Sequence, residues 1–115
     1  MRTLIIINDS PYGTERLYNG MRLALALMKR EAQEVDVFLM ADAVAGAKKG
    51  QKTPDGYFNI ERMVRRVASQ GRVLLCGVCM DARGITIEEV VEGAQRSSMD
   101  ALAEATEQAD HVLVF

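Results

Sequence analysis

Four stretches of the chain are apolar in the manner of β-strands. The first, residues 4–7, is a continuous run rich in β-branched side chains, and a strand that is apolar on both sides suits the middle of a sheet covered by helices. In residues 35–40 the apolar Val and Leu residues alternate with Asp36 and Phe38, and residues 73–76 and 111–115 are further short apolar stretches. The pattern therefore predicts four strands, of which the first is central and parallel to its neighbours.

Helical periodicity separates these predicted strands. Over residues 14–31 the apolar side chains recur at every third or fourth position, which lines one face of a helix. The clearest helix begins after Asn59, a capping residue, and ends before Gly71, a helix-stopping residue. A last helix is predicted over roughly residues 98–109, with Ser97 as its cap.

The remaining segments differ in character. Residues 41–47 are small and predict a short helix. Residues 46–58 contain three Lys and three Gly without an apolar period, which is typical of a long surface loop. Residues 77–84 are expected to turn between two glycines. Residues 85–93 are too mixed to assign, apart from a short helix over residues 87–91.

The alternation of strands and helices indicates an α/β fold. About half of the 115 residues are hydrophobic, which is enough for one compact domain spanning residues 1–115. Helices that connect successive strands favour a mostly parallel central sheet with right-handed crossovers and helices on both faces. With seven Met and no Trp, the core is expected to contain Leu, Ile, Val, Ala and adaptable Met side chains.

Charge and hydropathy argue against two classes of partner. The formal net charge is −2, and the Lys and Arg residues are scattered among Asp and Glu, so no basic stripe is available to follow a nucleic-acid backbone. Arg22 and Lys29 interrupt the longest apolar helical stretch, which falls short of the roughly 20 apolar residues of a membrane span. The N-terminal residues predict a strand and not a signal peptide. We expect a soluble, cytoplasmic protein that binds neither nucleic acid nor membrane.

Two cysteines three positions apart, Cys76 and Cys79, carry the best candidate chemistry. A pair this close cannot form the disulfide framework of a small secreted domain. Cys76 ends a predicted strand, where a parallel sheet gathers its ligand-binding loops. A thiol is nucleophilic as the thiolate, which positive charge favours, and Arg83 together with the amides around Gly77 could supply that charge. The alternative is that both cysteines are small buried apolar residues.

The loop after the first strand is expected at the same edge of the sheet as the cysteines. Residues 8–13 combine Asn, Asp, Ser, Pro and Gly, which favour turns, and residues 76–84 follow the third strand. Six residues of these two loops are candidates for binding a ligand: Asn8, Ser10, Tyr12, Gly13, Gly77 and Gly84. The single histidine, His111, begins a predicted strand and is interpreted as structural.

Four segments of the sequence carry a family resemblance. They are residues 8–15 (NDSPYGTE), 38–44 (FLMADAV), 50–52 (GQK) and 76–85 (CGVCMDARGI). In this order and spacing they resemble the DsrE/DsrF-like family, and within it the YchN-like branch. The likeness runs over essentially the whole chain, so it is more specific than any single motif.

The resemblance implies a three-layer α/β protein with a sheet of about five strands, assembled as a homo-oligomer, commonly a trimer or hexamer. Family members that are understood work in sulfur relay, in which a cysteine accepts sulfane sulfur as a persulfide and passes it from a donor protein to an acceptor protein. The family's acceptor cysteine precedes an Arg-Gly pair by seven and eight positions, and Cys76 with Arg83 and Gly84 fits that spacing. Cys79 belongs to a Cys-x-x-Cys variant and could resolve the persulfide or form a disulfide. No cofactor or metal is implied.

Three other functions stay open. The Cys-x-x-Cys pair could cycle as a dithiol/disulfide redox module, although thioredoxin-like proteins place a proline after that motif and both prolines here precede it. A structural zinc site needs four ligands, more than the two Cys and one His supply. The chain could also be a non-enzymatic oligomeric module that holds a small anion or nucleotide with its first loop and residues 48–52, although the glycine spacing of a phosphate-binding motif is missing.

Overall fold

The computed structural model describes all of residues 1–115. Its five strands are β1 Arg2–Ile7, β2 Glu34–Leu39, β3 Arg72–Cys76, β4 Ala94–Ser97 and β5 His111–Val114. They form one sheet in the order β4-β3-β2-β1-β5, and every pairing is parallel. The predicted α/β fold with a parallel central sheet is confirmed.

Four α-helices connect the strands. They are α1 Arg16–Met28, α2 Ile60–Gln70, α3 Gly77–Ala82 and α4 Met99–Gln108. Two 3₁₀ segments, Ala41–Ala47 and Ile87–Glu89, lie after β2 and after α3. None of these helices combines the length and the apolar character that crossing a bilayer requires.

Helices cover the two faces of the sheet unequally. Ile5 and Val37 are fully buried on the face that packs against α1, α2 and the first 3₁₀ segment. Leu4 and Phe38 point to the other face, where α4 alone supplies buried residues. Because neighbouring residues of a strand point to opposite faces, burial of both faces explains why residues 4–7 of β1 form a continuous apolar run.

Helix α2 begins and ends where the sequence predicts. The side chain of Asn59 accepts a hydrogen bond from the Arg62 amide at 3.1 Å, which satisfies a free donor of the first turn. At the other end Gly71 approaches β2 closely, so that a Cβ there would overlap the Val35 carbonyl oxygen and lie 2.7 Å from Met28 Cε. A residue without a side chain is therefore needed where the chain enters β3.

Two elements near the end of β3 differ from the sequence prediction. Residues 77–84, expected to be a turn, contain the helix α3, which gives way to a left-handed Gly84 with φ of +64°. Residues 94–97, for which the sequence predicts no strand, form β4 at the edge of the sheet. Only Ala94 of this strand is buried, and a strand with one buried residue has no apolar pattern to reveal it.

The start of α4 also corrects a prediction. Its cap is Ser98 and not Ser97, because Ser97 is still paired with Cys76 in the sheet. The Ser98 hydroxyl accepts a hydrogen bond from the Ala101 amide at 3.2 Å. Helix α1 is shorter at both ends than residues 14–31, because the flanking residues on each side form turns and bends.

Candidate functional site

Cys76 lies at the junction of β3 and α3. It is the last residue of the strand and also the residue that caps the helix. Its sulfur accepts a hydrogen bond from the Cys79 amide at 3.3 Å, and a donor of this kind favours the thiolate over the thiol. The side chain is half-buried and lines a surface pocket, so it is not sealed in the core.

Cys79 lies one helical turn after Cys76 and faces it. The two Cα atoms are 5.2 Å apart and the two sulfur atoms are 2.50 Å apart, and a Cα separation in this range is compatible with a disulfide. The Cys79 sulfur accepts a hydrogen bond from the Ala41 amide at 3.2 Å. Each of the two sulfur atoms therefore receives one backbone N–H.

The pocket in front of the cysteines has a volume of about 580 Å³. Its wall is largely apolar and includes Phe38, Met40, Val78 and Met99. The side chains of Val78 and Met99 are 78% and 63% exposed, so the rim presents hydrophobic surface to solvent. A small sulfur compound or a partner's cysteine could enter such a pocket.

Arg83 follows α3 and links it by hydrogen bonds to the first 3₁₀ segment. Its guanidinium donates to Asp42 Oδ1 from Nε at 3.0 Å and from Nη2 at 2.8 Å. A third hydrogen bond, from Nη1 to the Cys79 carbonyl, measures 3.0 Å. Arg83 thus contacts the backbone of the cysteine helix, while its charge is paired with Asp42. Its role as a catalytic residue stays a prediction.

Arg96 is a charged residue at the site that sequence reasoning misses. It lies on β4 and forms a bidentate pair with Asp81 of α3, with both hydrogen bonds at 2.8 Å. The hydrogen bonds of this pair lower the pKa of the Asp81 carboxyl and raise the pKa of the Arg96 guanidinium. Arg96 reaches the cysteines only through the pairing of β3 with β4, so no linear motif contains it.

Gly77, the first residue of α3, has a close contact with Arg96. A Cβ at this position would lie 2.8 Å from both Cζ and Nε of the guanidinium, closer than real contacts allow. Gly77 lines the cysteine pocket, whereas Gly84 lies two residues after the end of α3 and is absent from the pocket's lining. Their roles as ligand-binding residues stay predictions.

The candidate residues of the first loop lie elsewhere. The Asn8 amide donates to the Phe115 carbonyl at 2.9 Å, and the Ser10 hydroxyl donates to the Tyr12 carbonyl at 2.7 Å. Gly13 has φ of +95° and open space around its Cα. None of these four residues lines the cysteine pocket, and their role in ligand binding stays a prediction.

Tyr12 instead joins the first loop to the long loop of residues 48–59. Its hydroxyl donates to Gln51 Oε1 at 2.5 Å and accepts the Ile60 amide at 3.1 Å. Gln51 in turn donates from Nε2 to the carbonyls of Gly46 and Lys48, both at 2.9 Å. These hydrogen bonds make the long loop an ordered part of the fold, which its composition alone does not reveal.

Metal binding has no side-chain cluster to support it. No group of three or more His, Cys, Asp or Glu residues is arranged to hold an ion. The single histidine, His111, is exposed at the start of β5.

Comparison with known proteins places the chain among its relatives. A family model described as "DsrE/DsrF-like family" matches residues 1–115. Protein YchN of Escherichia coli (strain K12) is 40% identical over 116 residues, which cover 99% of this chain and 98% of YchN. A sulfurtransferase TusD homolog of Vibrio vulnificus is 23% identical over 128 residues, which cover 100% of this chain and 98% of the homolog.

A solved structure agrees with these sequence matches. The crystal structure of YchN from Escherichia coli superposes with a TM-score of 0.91 and covers 100% of both chains at 40% identity. The resemblance suggested by the four sequence segments is confirmed. The chain belongs to the DsrE/DsrF-like family.

Proposed function

We propose that this protein works in sulfur relay in the cytoplasm and carries sulfane sulfur as a persulfide on Cys76. The observation that carries the proposal is a half-buried cysteine at the end of β3 whose side chain lines an open pocket and whose sulfur accepts a backbone N–H. Membership of the DsrE/DsrF-like family supports this chemistry. So does the name of the distant Vibrio vulnificus relative, a sulfurtransferase homolog.

Loading is a nucleophilic attack by the Cys76 thiolate on a persulfide or thiosulfate donor. A new S–S bond forms between Cys76 and the outer sulfur of the donor, while the S–S bond within the donor breaks. The donor leaves with the bonding electron pair, as a thiolate or as sulfite. One sulfur atom moves as a unit, so no external oxidant or reductant is consumed.

Discharge has two routes that the Cys pair permits. The nucleophile of an acceptor protein can attack the outer sulfur, which restores the Cys76 thiolate. Alternatively, the Cys79 thiolate attacks the inner sulfur, which releases hydrosulfide and leaves a Cys76–Cys79 disulfide that a cellular dithiol then reduces. The Cα separation of 5.2 Å is compatible with that disulfide. Cys79 is accordingly assigned the role of a resolving thiol.

The test is to incubate reduced protein with a sulfane-sulfur donor and to measure intact mass. Wild type should gain one sulfur atom, about 32 Da, as a persulfide. Cys79→Ser should gain the same mass and keep it longer, because the internal release route is absent. Cys76→Ser should not gain it. If Cys76→Ser loads as wild type does, the assignment of the carrier thiol is wrong.

A dithiol/disulfide redox module is the second candidate, favoured by the 5.2 Å separation of the cysteine Cα atoms. The two functions differ in the resting state of the pair at the cytosolic glutathione poise, roughly −220 to −320 mV. A relay thiol should be mostly reduced there. Trapping the pair with an alkylating agent after equilibration in glutathione buffers measures the reduced fraction, and a pair that passes from dithiol to disulfide within that range would favour the redox module.

We also propose that the chain assembles as a homo-oligomer, a trimer or hexamer, and receives and delivers sulfur through donor and acceptor proteins. Support comes from the edge strand β5, on which Val112, Leu113 and Val114 are 40%, 38% and 66% exposed. An exposed apolar edge strand is a surface that proteins commonly cover.

A further inference from the structure

Arg96 is the only charged residue among the ten that line the cysteine pocket. Other charged side chains lie on the surrounding elements but are absent from the lining: Asp42 on the first 3₁₀ segment, Asp81 and Arg83 at α3, and Asp100 in the first turn of α4. The remaining lining residues are apolar, hydroxyl-bearing, glycine or cysteine. The Arg96 guanidinium is therefore the one charged group in the lining beside the two sulfur atoms, although it is paired with Asp81.

The position of that guanidinium is fixed from two sides. Asp81 holds it through two hydrogen bonds of 2.8 Å, and such bidentate pairs restrict orientation as well as distance. Gly77, which follows Cys76 directly, leaves the space that Nε and Cζ occupy. Any side chain at position 77 would push the guanidinium away from the start of α3.

We propose that Arg96 supplies the positive charge that favours the Cys76 thiolate and, once sulfur has been loaded, holds the negatively charged outer sulfur of the persulfide. The first part concerns the free thiol alone, and the second rests on the proposed relay function. Gly77 and Asp81 act as positioning residues for the guanidinium. The effect is moderate, since Asp81 partly offsets the charge and the pair is solvent-exposed.

The test uses reduced Cys79→Ser protein, in which Cys76 is the only thiol, and measures the rate of alkylation by iodoacetamide against pH. Adding Arg96→Gln should move the midpoint of the profile to higher pH and slow the reaction at neutral pH roughly two- to tenfold. The limiting rate at high pH should not fall, because every thiol is then ionised and a thiolate of higher pKa is the stronger nucleophile. A purely structural loss would lower that limiting rate as well.

Three further variants sharpen the test. Arg96→Lys keeps the charge and should retain most of the parent profile. Gly77→Ala should shift the midpoint in the same direction as Arg96→Gln by displacing the guanidinium, and the two changes together should shift it no further. Arg65→Gln removes an arginine from an exposed ion pair on α2, which covers the opposite face of the sheet, and should leave the profile unchanged.

Superimposable profiles for the parent and Arg96→Gln would overturn the proposal. If Arg96→Gln does not fold, the pH profile of Gly77→Ala is the deciding measurement. A profile for Gly77→Ala that matches the parent's would also overturn the proposal. Both results are independent of sulfur loading. A shifted profile in a protein that loads no sulfur would refute the relay function while leaving the role of Arg96 in the thiolate intact.

Discussion

Ala41 has a backbone conformation that alanine seldom adopts, and its amide donates to the Cys79 sulfur. Its φ of +51° lies in the left-handed region, which costs a residue with a Cβ about 1 kcal/mol or more. The same residue donates the 3.2 Å hydrogen bond to the Cys79 sulfur. Strain of this kind gathers at functional sites, which agrees with a resolving role for the second cysteine.

Glycine at this position should relieve the strain. We expect Ala41→Gly to stabilise the fold by roughly 0.5–1 kcal/mol, the left-handed penalty reduced by the greater freedom of glycine in the unfolded chain. Ala32, with φ of +57° in the turn after α1, is the matched control, and Ala32→Gly should stabilise by a similar amount. Urea denaturation measures both, and destabilisation by Ala41→Gly alone would contradict the strain argument.

Glu61 connects the first turn of α2 to the long loop. It accepts hydrogen bonds from the Gln51 amide at 2.8 Å and from Arg65 at 2.9 Å. Burial acts to raise the pKa of Glu61, but the hydrogen bonds from Arg65 and Gln51 outweigh burial, so the pKa lies below its ordinary value of 4.5. Because the folded pKa is depressed, the stability contributed by the carboxylate is complete above the unfolded value and is lost as the pH falls through the folded value.

Replacing Glu61 should therefore give a pH-dependent loss of stability. We expect Glu61→Gln to cost about 1 kcal/mol at neutral pH, and the difference from wild type should shrink as the pH falls below 4.5, the ordinary value for this side chain. Denaturation curves at a series of pH values measure this difference. Glu107→Gln, which removes an exposed carboxylate of α4, is the matched control. If the stability difference between Glu61→Gln and wild type stays constant into the acid range, the lowered pKa of Glu61 is not the source of that difference.

Elements with a buried apolar period were predictable from the sequence, and polar or very short ones were not. The strands β1, β2 and β3 carry buried apolar residues on both faces, and α2 combines an apolar stripe with Asn59 and Gly71 at its ends. In contrast, β4 exposes Gln95 and Arg96, and α3 has six residues and begins with a glycine. Pairing with β3, and packing of the fully buried Met80, define these elements, and both are tertiary effects.

The residues of the candidate site also divide into those that could be predicted from the sequence and those that could not. Cys76 and Cys79 could be selected from the sequence, because a strand and a two-residue spacing place them. Arg96 could not, since it reaches the site across β4, and Ala41 could not, since a backbone amide carries no sequence signal. The residues nearest the chemistry were therefore predictable only where they share one segment of the chain with the thiol.

The junction of α2 and β3 depends on the close approach of Gly71 to β2. Gly71→Ala should destabilise by roughly 1–3 kcal/mol, because a Cβ would meet the Val35 carbonyl and Met28. Gly56→Ala is the matched control: Gly56 has φ of +81° but no atom within 4 Å of an added Cβ, so its cost of about 1 kcal/mol is conformational alone. Urea denaturation compares the two variants. A smaller loss of stability for Gly71→Ala than for Gly56→Ala would show that β2 shifts at little cost to accommodate the added Cβ.

At the scale of the whole molecule, β5 leaves an apolar edge that a second copy would cover in the proposed homo-oligomer. Sedimentation velocity should show a trimer or hexamer for wild type. Val114→Lys should shift the distribution to smaller species, because Val114 is the most exposed apolar residue of the edge at 66%. Ile87→Lys introduces the same charge at another exposed apolar residue, 44% exposed in the second 3₁₀ segment, and should leave the assembly unchanged. Equal assembly of Val114→Lys and wild type would exclude β5 as the interface.

The position of the added sulfur can be measured in wild-type protein without any substitution. Trypsin cleaves after Arg72 and Arg83, so both cysteines lie in one peptide, residues 73–83. After wild type has been loaded from a sulfane donor and its thiols blocked, fragmentation of this peptide locates the added sulfur. We expect fragments in which Cys76 carries the extra sulfur atom. Added sulfur confined to Cys79, or none at all in the presence of a competent donor, would contradict this expectation.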